Sequence, residues 1–176
     1  MSAVLAEAWP DYLLENDCAK GLALVVGASL PRIMNVIPSE DPTALEVYPG
    51  QCDGPCERAL REGESVPAGA PLTLVYAGVM GPDTRTAFVS SQGHMHGAKA
   101  CGTEGGSLLT TGWLKQATWT PTSTGVAQVA VGFAHGNFGT PAVTVGIKTF
   151  MIAPKRTVTP NEQSELQTSN ELLNAT

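Results

Sequence analysis

Three histidines carry the most distinctive chemistry in the chain. His94 and His96 lie within Gly93-His94-Met95-His96-Gly97, and His135 follows well downstream. Residues i and i+2 of a strand share a face, so His94 and His96 can offer two imidazoles to one cation, with His135 as a third ligand. Three neutral imidazoles suit zinc, and imidazoles joined by the thioether of Met95 or Met80 suit copper. The same spacing fits a polar loop whose histidines ligate nothing. In either case the segment 90–97, with Gln92, His94, Met95 and His96 as its contact residues, is the expected binding loop. Gly93 and Gly97 let its backbone bend, and loops held by a rigid scaffold are where binding groups collect.

Other reactive residues assemble into nothing catalytic. Ser90 and Ser91 stand near His94, but no Gly-x-Ser-x-Gly elbow frames them and no acidic partner is marked. Glu57, Glu62 and Glu64 crowd one stretch that reads as solvated surface. Asp41, Asp53 and Asp83 sit beside Pro or Gly, which makes them turn residues before calcium ligands. Gly102, Gly105 and Gly106 flank no strand-to-helix phosphate loop. The chain is therefore expected not to be an enzyme, and no motif calls for a cofactor.

The four cysteines, Cys18, Cys52, Cys56 and Cys101, are an even set in a turn-rich chain and are expected to form two disulfides in an oxidising, extracellular or cell-surface compartment. Three pairings are open. Cys52-x-x-x-Cys56 is one residue too long for a thioredoxin-type motif, and no second close pair completes a zinc cage.

The elements that must position these groups follow from composition and period. With 176 residues, 43% hydrophobic, 15% charged, 19 glycines and 13 prolines, the chain suits one all-β core with many turns. Its net charge of −6 and scattered Lys and Arg exclude a nucleic-acid interface. No apolar run is long enough for membrane insertion as a helix. Strands are expected over 22–26, 33–37, 45–48, 71–76, 86–89, 117–119, 126–133 and 142–152, with a short helix over 3–14 and a helical turn over 57–61. On the last two strands Val129, Val131 and Phe133 alternate against Gln128, Ala130 and Gly132, and Val143, Val145, Ile147, Thr149 and Met151 against Thr144, Gly146, Lys148, Phe150 and Ile152. Seven to nine strands at this spacing predict an antiparallel β-sandwich. Residues 1–44 read as an N-terminal arm or additional strands, 45–154 as the sandwich, and 155–176 as a polar flexible tail.

From Cys101 onward the chain has a polar loop, Trp119-Thr120-Pro121, Gly125, an alternating strand and a final strand ending Phe150-Met151-Ile152. With Val66-Pro67-Ala68-Gly69-Ala70-Pro71-Leu72 upstream and Phe88, this order resembles the reeler (reelin N-terminal) domain over 48–154. Cys18 and the family's histidine after the second cysteine lack counterparts. Val131-Gly132-Phe133 is similar to a strand of DOMON domains, some of which bind haem or sugar. The resemblance implies an immunoglobulin-like, secreted or surface module for adhesion, recognition or defence; the sandwich pattern, the even cysteine count and the lack of catalytic groups point to a non-catalytic module for recognition or structural assembly, with a protein or glycan surface as ligand. The resemblance also implies that Cys56 pairs with Cys101, and hence Cys18 with Cys52. Two other functions fit the residues: a copper- or haem-binding redox module using His94, His96 and His135, and a virion or filament subunit forming homo- or hetero-oligomers.

Overall fold

The computed structural model describes residues 18–26, 39–52, 56–81, 84–102, 105–112, 114–135 and 142–155. The helix expected over 3–14, the strand expected over 33–37 and the tail beyond 155 lie outside the described residues.

Two sheets pack face to face as a β-sandwich. The larger runs in the order β1 (Ser39–Glu40), β11 (Ala142–Ala153), β10 (Gly125–His135), β5 (Arg85–Ser90), β8 (Gly106–Gly112) and β7 (Lys99–Cys101), with β3 (Ser65–Pro67) also paired to β11. The smaller runs β2 (Leu45–Pro49), β4 (Leu72–Tyr76), β9 (Gln116–Thr120) and β6 (His94–Met95). All pairings are antiparallel except those of β1 and β3, which run parallel to β11.

Period-two alternation builds the core between the sheets. Val129, Val131 and Phe133 of β10, Phe88 of β5, and Phe150 and Ile152 of β11 meet Leu45, Val47, Leu72, Leu74, Tyr76 and Trp119 of the smaller sheet. Tyr76 and Phe133 pack in a tilted contact with ring centroids 4.6 Å apart, and Trp119 lies 6.5 Å from Phe150. Trp119 is fully buried and Phe133 nearly so.

The opposite face of the larger sheet is apolar too, and this calls for a third layer. Ala87, Val89, Leu108, Ala130, Ala134, Val143 and Val145 form a second buried cluster, covered by helix α1 (Cys18–Val26). The strand expected over 22–26 is thus the second half of a helix. Cys18, Leu22 and Val25 stand at helical spacing (i, i+4, i+7) and all three pack on this cluster. A five-residue apolar run fits either period, and the register set by Cys18 and the apolar sheet face decides it. At Gly21 a β-carbon would come within 3.2 Å of Leu108 Cδ1, so its absence seats the helix on β8.

The pairing of the cysteines differs from the one the reeler resemblance implied. Cys18 is bonded to Cys101 and Cys52 to Cys56, in place of Cys56 with Cys101 and Cys18 with Cys52. Helix α1 brings Cys18 over β7, where Cys101 is buried in the cluster that the helix covers. Cys52 and Cys56 close a loop at the far end of β2. The helical turn expected over 57–61 is absent because the main chain is used otherwise: Leu60 N–H donates to Val47 O on the edge of β2 (2.7 Å), and the Glu64 carboxylate accepts from Arg61 N–H (2.9 Å) and Arg58 Nη2 (2.6 Å).

Two stability measurements follow. The Cys18–Cys101 bond spans 83 residues, for which chain entropy predicts a contribution of about 4–5 kcal/mol. The Cys52–Cys56 bond spans 4, for which the same relation gives about 2 kcal/mol. Urea unfolding should show the Cys18→Ser, Cys101→Ser double variant destabilised by roughly twice as much as Cys52→Ser, Cys56→Ser. Trp119→Ala should cost about 3–5 kcal/mol by the same assay.

Candidate functional site

The smaller sheet turns its other face outward, and this face carries the histidine pair. Along β9, Ala117 and Trp119 are buried while Gln116, Thr118 and Thr120 face out; on β6, Met95 is buried and His94 exposed. His94 is paired with Thr120 and Met95 with Trp119. His96 continues the register for one more residue, its N–H donating to Thr118 O at 3.2 Å. His94 and His96 therefore share one side, as their spacing predicted, and with Gln51, Thr118 and Thr120 they line a groove of about 340 Å³.

The loop under the histidines is held by side-chain hydrogen bonds. Gln92 is buried, its amide Nε2 donating to Ser123 O (2.8 Å) while its Oε1 accepts from Ser123 N–H (2.9 Å). Its carbonyl accepts from the Trp119 indole at 2.8 Å. Ser107 Oγ donates to Gly93 O (2.8 Å) and accepts from Met95 N–H (3.3 Å). Gly93 has φ +87°, and a β-carbon there would stand 2.5 Å from Thr120 O and 2.6 Å from the Trp119 indole nitrogen. After His96 the chain turns at Gly97 (φ +74°), closed by Ala98 N–H donating to Met95 O.

Beside the groove, the face continues across β4 and β2. Thr73 Oγ1 donates to Gly50 O (2.9 Å) and accepts from Cys52 N–H (3.1 Å), which ties the disulfide loop to the sheet. Gln116 Nε2 reaches Cys52 O at 3.5 Å. The Tyr48 hydroxyl donates to the Glu46 carboxylate at 2.6 Å, and this bond, with partial burial behind it, holds the phenol above its usual range.

The expected site residues divide accordingly. His94 and His96 are brought together at the surface. Met95 is fully buried and Met80 packs against the core, so Met95 supplies no thioether to the groove. Gln92 fastens the loop and does not face a ligand. His135 is the last residue of β10, paired with Ala142, whereas β10 begins next to Ser123 and Gln92. That strand is 11 residues long, on the order of 35 Å of extended chain. His135 is accordingly placed at the opposite end of the sandwich from His94 and His96, and among the described residues no three His, Cys, Asp or Glu side chains converge as a metal cluster. Ser90 is fully buried, its hydroxyl without a hydrogen-bond partner among the described residues, and Ser91 Oγ accepts from Gln128 N–H (2.9 Å). Thr118, Thr120 and Gln51 were not singled out from the sequence. The strand 117–119 and the i+2 spacing of 118 and 120 held that information, but the pairing of β9 with β6 did not show in either segment alone.

Gly93→Ala should destabilise the fold by about 1–3 kcal/mol through backbone strain alone, with the clash against Thr120 O in addition. Its tryptophan fluorescence should report a loosened Trp119, and urea unfolding gives the magnitude.

No protein-family model matches this chain, and no curated protein matches it at a significant level.

Proposed function

We infer that this chain is a non-catalytic recognition module of an extracellular or cell-surface setting, which binds a neutral glycan on the outward face of its smaller sheet. The observation that carries this reading is the makeup of that face. Around the groove it offers hydroxyls of Thr118 and Thr120, the amide of Gln51 and the imidazoles of His94 and His96, on strands fixed from beneath.

Such groups donate and accept hydrogen bonds without carrying a fixed charge at the groove, which matches the hydroxyl-rich edges of sugars. Much of the larger sheet's outer side lies beneath α1, whose Cys18, Leu22 and Val25 pack on its apolar cluster. Two disulfides support an oxidising compartment, and among the described residues no helix is long and apolar enough to cross a membrane. Ser90 is fully buried, and His135 ends β10 several residues beyond the position paired with it.

Titration of the isotope-labelled protein with a panel of neutral oligosaccharides should shift amide resonances of 94–97 and 116–120 and leave those of β7 and β8 unmoved. Thr118→Arg, which fills the groove without disturbing the core, should abolish the shifts at unchanged melting temperature. A ligand that binds Thr118→Arg as well as the parent would place recognition elsewhere. Shifts produced only by a protein partner would replace glycan with protein as the ligand class.

A further inference from the structure

We propose that His94 and His96 together chelate one divalent transition-metal cation, copper(II) in preference to zinc(II), in the groove they share with Gln51, Thr118 and Thr120. The proposal rests on the groove itself and not on its use for a glycan.

Successive outward positions of a strand lie about 6.8 Å apart. Two imidazoles at that spacing can close on one ion with metal–nitrogen bonds of about 2.0–2.1 Å. Both rings line the same depression, and both are exposed, so no core contact has to break for them to converge. The backbone that carries them is held at four points: Gln92 on Ser123, Gln92 on Trp119, Ser107 on Gly93, and Met95 in the core. Little backbone entropy is lost when the chain that carries two ligands is held in advance, which favours chelation over two independent weak contacts.

The donor set chooses the metal. All four cysteines are in disulfides, so no thiolate is available, and Met95 is turned inward. Two imidazole nitrogens remain, with Thr118 and Thr120 hydroxyls, the Gln51 amide oxygen and water to fill further positions. A nitrogen–oxygen set of this kind binds copper(II) most tightly among first-row divalent ions and accommodates its tetragonal preference. It does not suit copper(I), which takes soft sulfur ligands. The net charge of −6 also favours cation over anion at the surface.

The test uses the whole chain and metal alone. Calorimetric titration with copper(II) at pH 7.5 should show saturable one-to-one uptake, with weaker uptake of zinc(II). Electron paramagnetic resonance of the copper form should show coupling to imidazole nitrogens. His94→Ala and His96→Ala should each weaken binding by at least about tenfold, the scale of losses seen when even outer ligands of a metal are removed. His135→Ala should leave it unchanged. No saturable uptake, or uptake indifferent to the His94→Ala, His96→Ala double variant, overturns the proposal. Both histidines are exposed, so the variants should melt with the parent. Loss of glycan binding with copper uptake intact would overturn the glycan reading alone, and the converse would overturn this one alone.

Discussion

The structure depends on one constraint: from Val129 to Ala134, β10 is buried on both faces. Its odd positions, from Ala127 to Phe133, fill the core between the sheets, and Ala130 and Ala134 fill the cluster beneath α1. A strand of this kind cannot stand at the surface of a two-layer sandwich. Something must cover its second face, and a helix of 9 residues is too short to hold its shape alone in water. The Cys18–Cys101 bond answers this by fastening the first residue of the helix to the edge strand β7. Burial of Leu22 and Val25 then supplies the contact energy, while the disulfide removes the entropy of finding it.

Covering the larger sheet leaves the smaller one with the outward polar face. Its strands are also those whose inward residues are largest, Trp119 and Tyr76 among them. The same alternation therefore gives rigidity inward and polarity outward, residue by residue. Trp119 joins the two roles, since its ring fills the core while its indole N–H holds Gln92 O, two residues before His94. Few of the groups beneath the groove are free to relax independently.

The sandwich was legible because β4, β9, β10 and β11 alternate or run apolar over five residues or more, and because turns marked by Pro or Gly bound them. The elements that escaped are those whose form is decided by partners distant in sequence. Residues 106–112, Gly-Ser-Leu-Leu-Thr-Thr-Gly, carry little periodicity, and they become β8 because Leu108 and Leu109 serve opposite clusters. The helix at 18–26 was ambiguous for want of length. The cysteine pairing was set by the helix, so misreading the helix removed the information needed to pair Cys18. For the site, spacing alone showed that His94 and His96 share a side, since that is a property of one strand. Whether His135 joins them is a property of the direction of β10, and no local pattern contains it.

Register at β6 is what turns this sequence into a particular chemistry. His94-Met95-His96 holds two nitrogen ligands and one sulfur, and the pleat allows only one kind to face the groove at a time. A slip of one residue against β9 would carry the thioether outward and drive both imidazoles toward Trp119 and Phe150. Three features oppose that slip. Met95 pairs with Trp119 and buries a flexible apolar side chain beside the indole, while an unpaired imidazole in its place would lack hydrogen-bond partners. Ser107 Oγ is spent on Gly93 O and Met95 N–H, a pair of groups that only the observed register presents together. Gly93 fits between Thr120 O and the indole nitrogen where no side chain can, so His94 cannot move back into its place. A core contact, a hydroxyl and a missing β-carbon thus fix which atoms of His94-Met95-His96 face solvent.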